Sequence, residues 1–216
     1  MKVLAVNGSP RKTWNTATLL EKALEGAASQ GAETELIHLY DLDYKGCRSC
    51  FACKQRDRKS YGICAVKDGL TTVLDGIREV DALILGSPIY FGRVTGEMRS
   101  FMERLMFPFL EYTDPWQSIF PRSMATGFIY TMNITEEEME EMRLRYALES
   151  NEMSLGMIFG SSEALYCHDT LQFEDHTKVV CDRVDVDAKM RRHRDVFPVD
   201  CEHAYALGGR MTQAVT

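Results

Sequence analysis

Four of the seven cysteines lie in one stretch, CRSCFACKQRDRKSYGIC, residues 47–64. Cys47, Cys50 and Cys53 stand at CxxCxxC spacing, and Cys64 follows after a basic, polar gap of ten residues. Thiolates spaced in this way suit a 4Fe-4S cluster, since cluster motifs of the bacterial ferredoxin type begin so. Zinc more often takes two separated CxxC pairs. Ordinary free thiols and disulfides are the remaining readings, the last disfavoured in a reducing compartment. Lys54, Arg56, Arg58 and Lys59 would offset the charge of four thiolates and lower their pKa.

Two further stretches offer chemistry of another kind. GSPRKTWNTA (8–17) leaves an apolar run through a tight turn and enters a helix, where unpaired backbone N–H groups and the helix dipole favour an anion. Ser9, Thr13, Asn15 and Thr16 can donate to a phosphate, and Arg11 and Lys12 can neutralise it. The competing reading is an ordinary turn with its charges in water. The pattern is neither GxGxxG nor GxxxxGK[ST], which argues against a Rossmann dinucleotide site and a P-loop. In GSPIYFGRVTGEMRSFMERL (86–105), Pro88 closes a strand, Gly92 allows an open turn, and Tyr90 and Phe91 give flat apolar surface. A planar heterocycle could lie against Pro88, Ile89, Tyr90, Phe91 and Gly92; equally, the aromatics could finish the core.

The elements that must position these loops follow from periodicity. Strands are predicted at KVLAV (2–6), ETELIHLY (33–40), DALILGS (81–87), MATGFIYTM (124–132) and EALYCHDT (163–170). Helices are predicted at 13–31, 68–80, 95–107, 134–153 and 200–213, the fourth opened by a capping box of Thr135 and Glu138. This alternation predicts an α/β fold, a flavodoxin-like three-layer sandwich with a five-stranded parallel sheet in the order 2-1-3-4-5. One domain is expected over residues 1–216, with a cysteine-rich loop at 45–66 and an irregular segment at 171–199 that holds a short helix at DAKMRRHR. In that sheet ligands bind beyond the carboxyl ends of the strands, where the loops after strands one and three lie together. The cysteine loop, after strand two, is expected at the same edge, roughly 10 Å across the sheet from strand three.

The bulk figures narrow the function. With 45% hydrophobic residues the chain can build a core without disulfides. A formal net charge of −7 argues against a nucleic-acid partner. The apolar run at the start is too short for a signal peptide and no stretch is long enough to span a membrane, so a cytoplasmic protein with no membrane partner is expected.

One loop suits a phosphate and the other a flat ring, and FMN has that shape. GSPRKTWNTATLL and SPIYFGRVTGEMRSFMER resemble the two FMN loops of the NADPH-dependent FMN reductase family, and CRSCFAC between them is similar to the iron–sulfur flavoproteins within it. The likeness covers roughly residues 1–135, by order of motifs. It implies a flavodoxin-like fold, bound FMN, NAD(P)H or ferredoxin as electron donor, a flavin, quinone or other small-molecule acceptor, and a homodimer or homotetramer. Carried over, Ser9, Arg11, Lys12, Asn15 and Thr16 would hold the phosphate, Pro88 to Gly92 would border the isoalloxazine, and Met132 and Asn133 would face the ribityl chain. Cys47, Cys50, Cys53 and Cys64 would hold the cluster, although their ten-residue gap is longer than in cluster-bearing relatives. Trp14 either covers the phosphate loop or packs on a neighbouring subunit.

The implied function is an FMN-dependent oxidoreductase that names no catalytic acid or base, because the cofactor carries the chemistry. The alternatives are an iron–sulfur flavoprotein carrier linked to ferredoxin and a non-catalytic flavodoxin-like or redox-sensing protein. Other residues receive structural readings. His38 is a packed strand histidine, and Cys167 and His168 point to opposite faces. The methionines of 98–106 belong to the core or a dimer interface, and EEEMEE is a solvated helix face.

Overall fold

A computed structural model describes residues 1–182 and 184–213. Arg183, within the expected irregular segment, and residues 214–216, the end of the expected domain, lie outside the described residues.

Strand β1 (Lys2–Asn7) leads through the first loop to α1 (Asn15–Ser29) and β2 (Glu33–His38); after the cysteine segment come α2 (Thr71–Ile77) and β3 (Ala82–Tyr90). A short β4 (Arg93–Val94) precedes α3 (Gly96–Met106), and a two-stranded ribbon, β5 (Leu110–Glu111) with β6 (Gln117–Ser118), precedes β7 (Met124–Thr131). Helices α4 (Glu136–Glu141) and α5 (Arg145–Phe159), strand β8 (Gly160–Cys167), and helices α6 (Val186–Asp195) and α7 (Phe197–Gln213) complete the order.

Five strands pair in parallel in the order β2-β1-β3-β7-β8, the flavodoxin-like arrangement read from the sequence, and β4 adds to the end of β3 as a hairpin. The central strands are near-continuous apolar runs because both faces are covered. Alternate residues divide between the faces. Val3, Ala5, Ile84 and Ile129 pack with α1 and α7, while Leu4, Val6, Leu83, Leu85, Phe128 and Tyr130 pack with α2, α3 and α5. The methionines at 98 and 102 are wholly buried on the second side.

Three differences from the sequence reading have local causes. The acidic helix expected over 134–153 is two helices. Its capping box is present, but the chain turns at Arg143, whose φ is +54°, with Arg143 N–H on Glu140 O (2.9 Å) and Leu144 N–H on Met139 O (3.0 Å), the hydrogen-bond pattern of a helix stop with a left-handed residue. Leu144 then fits beneath Gly92, where a Cβ would meet its Cδ2 at 2.8 Å. Pro88 does not close the third strand. It pairs with Thr131, and the strand runs on to Tyr90 before turning at Phe91 and Gly92, both at positive φ as two-residue hairpin turns require. The last strand starts earlier than expected, because α5 runs to Phe159 and Gly160, at φ +109°, begins the strand directly.

Helices α1 and α7 meet through glycines. A Cβ on Gly26 would stand 1.9 Å from Tyr205 O, and one on Gly208 would stand 1.7 Å from Ala23 O. Gly208→Ala is therefore expected to lower the unfolding free energy by about 1–3 kcal/mol through overpacking. The measurement is the urea midpoint at unchanged slope; an unmoved midpoint would mean the helices are not held this close.

Candidate functional site

At the carboxyl edge of the sheet the loops after β1 and β3 are tied together. Gly8 N–H donates to Gly86 O (2.8 Å), and the Thr95 hydroxyl donates to Gly8 O (2.7 Å). Thr95 N–H donates to Ser87 Oγ (3.0 Å), and Thr95 Oγ1 also caps α3 by accepting Met98 N–H (3.2 Å). The first loop folds in local turns, with Ser9 N–H on Asn7 Oδ1 (2.9 Å) and Arg11 N–H on Ser9 Oγ (3.1 Å). Helix α1 then begins at Asn15 with Trp14 in the cap position and no side-chain cap. Its first N–H groups are left for another acceptor, at the positive end of the helix dipole.

A cleft of about 70 Å³ opens there. Ser9, Arg11, Asn15 and Thr16 line it from the first loop, Pro88, Ile89 and Tyr90 from β3, and Met132 and Asn133 from the end of β7. The Thr16 hydroxyl bonds the Thr131 hydroxyl (2.8 Å), joining α1 to β7 beneath the cleft floor. Four expected residues stand elsewhere: Thr13 is exposed in the first loop and does not line the cleft. Lys12 pairs with Asp41 (2.5 Å). Phe91 is fully exposed at the tip of the β3–β4 hairpin, and Gly92 packs on Leu144. His38 has the structural place read for it, with its Nδ1 3.0 Å from Asn7 Nδ2.

The opposite wall is Thr170, which the sequence put at the end of a strand, with Leu171 and Gln172, which it left in the irregular segment. Leu171 O accepts the Trp14 indole N–H (3.0 Å) and the Asn15 amide (2.8 Å), and Gln172 O accepts the Arg11 guanidinium (2.6 Å), which also lies over the Trp14 ring (5.3 Å). Trp14 thus lies against the first loop and the 171–172 wall of its own chain. Behind this wall the buried Lys189 of α6 donates to Asn133 O (2.5 Å) and pairs with Asp169, pinning the ends of β7 and β8 together.

The cysteine segment does not stay at this edge, and the expected 10 Å spacing is replaced by a run along α3. The Tyr44 hydroxyl donates to Glu97 O (2.7 Å) in the first turn of the helix, Cys47 N–H reaches Glu103 Oε2 (3.2 Å), and the Lys54 ammonium bonds Phe107 O and Leu110 O beyond the last turn. Cys47 at Glu103 and Cys64 at Arg104 thus lie beside the second half of α3, away from the cleft. All four line one small cavity, of about 20 Å³, with Arg104, Phe107 and Pro108. Ser49 and Phe51, both at positive φ, curl the backbone between the first three thiols. Among the described residues no three His, Cys, Asp or Glu side chains are disposed to hold a single metal ion. A cluster needs less, because each thiolate binds a separate iron, so four cysteines lining one cavity suit it in ligand type better than they suit zinc.

The thiols differ in character. The Ala52 backbone N–H, opposed in part by burial, lowers the Cys50 pKa, whereas burial raises that of Cys53. Lys54 is occupied by the carbonyls at the end of α3. Its charge still favours the Cys53 thiolate, Arg48 hydrogen-bonds Cys50, and Arg104, wholly buried, sets Nε–H on Cys64 Sγ (3.4 Å) and Nη1 on Asp68 Oδ2 (2.5 Å). Burial pushes Asp68 up, but the bonds from Arg104 and Leu70 N–H outweigh it and hold the carboxyl below its usual range. The sequence signal for Arg104 was its place among the apolar positions Phe101, Met102 and Leu105.

A family model described as NADPH-dependent FMN reductase matches residues 1–119, more than half of the chain. The chain belongs to the NADPH-dependent FMN reductase family. Within it, this chain is 43% identical over 104 residues to an iron–sulfur flavoprotein of Archaeoglobus fulgidus, covering 48% of each chain, and 39% identical over 104 residues to an iron–sulfur flavoprotein of Methanocaldococcus jannaschii, covering 48% of this chain and 51% of the other. The matched region spans about half the length of these curated relatives. In fold it is similar to an NAD(P)H:quinone oxidoreductase from Methanothermobacter marburgensis (TM-score 0.69, 13% identity, 98% of each chain) and an azoreductase from Bacillus anthracis (TM-score 0.67, 14% identity, 97% and 99%). Among the described residues no helix is long and apolar enough to cross a membrane.

Two outcomes are expected from this geometry. Thr95→Val removes the α3 cap and the bond to Gly8 O together and should cost about 2 kcal/mol, read by denaturant unfolding; a cost near zero would show that the tie is not needed. In metal-free protein near neutral pH, iodoacetamide should label Cys50 before Cys53, followed by peptide mass spectrometry, because the thiolate is the reacting form. Equal rates at the two would contradict the environments described.

Proposed function

We propose that this chain is an FMN-dependent oxidoreductase that takes electrons from NAD(P)H and passes them to a small-molecule acceptor such as a flavin or quinone. The observation that carries this reading is the cleft at the carboxyl edge, where an uncapped helix start and the β3 wall face one another. The donor set fits FMN. Ser9, Asn15, Thr16 and the N–H groups at the start of α1 would take the phosphate, with Arg11 moving from Gln172 O to neutralise it. Pro88, Ile89 and Tyr90 would border the isoalloxazine, and Met132 and Asn133 the ribityl chain. When bound, FMN supplies the hydride and electron transfer; the protein holds and orients it.

A second redox centre is supported by a separate observation, the four thiols around one cavity, and by the printed names of the relatives. Cys47, Cys50, Cys53 and Cys64 would hold a 4Fe-4S cluster, whose chemistry is one-electron transfer. Such a centre would suit a protein donor such as ferredoxin.

Protein loaded with FMN is expected to lose its flavin absorption band when mixed anaerobically with NADPH or NADH. Absence of bleaching with both would sink the reductase reading in favour of a carrier driven by ferredoxin. Arg11→Ala should weaken FMN binding roughly 10-fold to 100-fold by fluorescence titration, as the loss of a charged hydrogen bond of about 1.5–3 kcal/mol requires. An unchanged Kd would remove Arg11 from the site.

A further inference from the structure

We infer that Arg104 sets the reduction potential of the cysteine-bound centre by acting on Cys64, with Asp68 as an opposing charge. This rests on the cluster reading given above.

Arg104 lies on the buried stripe of α3 and is 2% exposed. A buried guanidinium costs several kcal/mol unless its donors are met. Here Nη1 donates to Asp68 Oδ2 (2.5 Å) and Lys45 O (3.1 Å), and Nη2 to Val66 O (3.2 Å). Those bonds anchor the side chain to the segments on both sides of the cysteines. Its Nε–H is aimed at Cys64 Sγ (3.4 Å). Asp68 is itself fixed, since its Oδ1 accepts Leu70 N–H (3.1 Å) and its N–H donates to Thr71 Oγ1 (3.0 Å). The guanidinium is therefore a charge that cannot swing away, in contact with one sulfur of the cavity, and the carboxylate beside it is equally immobile.

Net charge and hydrogen bonds to the sulfurs are the protein's levers on cluster potential. Reduction adds one electron to the cluster and moves no other bond. An N–H donor and a positive charge at Cys64 stabilise the more negative, reduced state and so raise the potential. Asp68 has the opposite sign and lowers it. A role limited to holding the fold gives no reason for two variants to shift the potential in opposite directions.

The test uses wild type, Arg104→Gln and Asp68→Asn, purified without air, assayed for iron and acid-labile sulfide, and titrated with dithionite under EPR. Arg104→Gln is expected to move the cluster midpoint to more negative potential by about tenfold in the one-electron equilibrium constant, which is about 59 mV. Asp68→Asn is expected to move it to more positive potential, and it carries the test alone should the arginine variant fail to fold. The flavin midpoint in the same titrations should stay in place. Cluster midpoints that do not move, or that move in the same direction, overturn the inference while leaving the cluster standing. Wild-type protein without iron and sulfide overturns the cluster reading and this inference with it.

Discussion

The candidate site depends first on Thr95. Its hydroxyl both donates to Gly8 O and accepts Met98 N–H, while its own N–H is held by Ser87 Oγ. One buried side chain thus joins the loop after β1, the loop after β3 and the start of α3. A hydroxyl can do this because it is donor and acceptor at once. Neighbouring parallel strands bring the two loops to one edge, but they do not fix the loops relative to each other. Thr95 and the Gly8–Gly86 bond supply that, and the cleft inherits its shape from them.

Helix ends set the electrostatics around both cavities. The protein is acidic overall, with a formal net charge of −7, yet each cavity suits an anion. At the cleft this follows from the uncapped start of α1 with Arg11 beside it. At the cysteines the helix end has the wrong sign, since the C-terminus of α3 carries exposed carbonyls and partial negative charge. Lys54 bonds the carbonyls just past that end and lies over the Phe107 ring (4.5 Å), and Arg104 brings a full positive charge to Cys64. Of the four cations expected from sequence to balance the thiolates, Lys54 is thereby drawn to the helix end while still favouring the Cys53 thiolate, and Arg104, from inside the helix, adds a charge at Cys64.

The sheet was legible in the sequence because its central strands are short apolar runs bounded by turn residues and separated by amphipathic helices. The first-loop and β3 residues of the cleft were legible for a related reason, since parallel topology puts the ends of β1 and β3 side by side. What was not legible is contact made through the backbone or over long separation. Leu171 and Gln172 contribute carbonyl oxygens, which every residue type has. The break at Arg143 uses a left-handed arginine, with neither glycine nor proline to mark it. Arg104 stands among apolar positions of its helix, but the partners that meet its charge, Asp68 and Cys64, lie 36 and 40 positions away.

Helix α3 makes the two cavities parts of one mechanical unit. Its cap, Thr95, is part of the tie at the cleft, and its last turn, with Arg104, forms a wall of the cysteine cavity. Between them Met98, Phe101, Met102 and Leu105 are buried against the sheet, so the helix cannot tilt without opening the core. Packed interiors resist such motion because they are close to crystal density. The cysteine segment follows the same helix, held by Tyr44 at one end and Lys54 at the other. The separation of the two cavities is therefore fixed by the length of a packed helix, and the four thiols, carried mostly on irregular backbone, take their position from it.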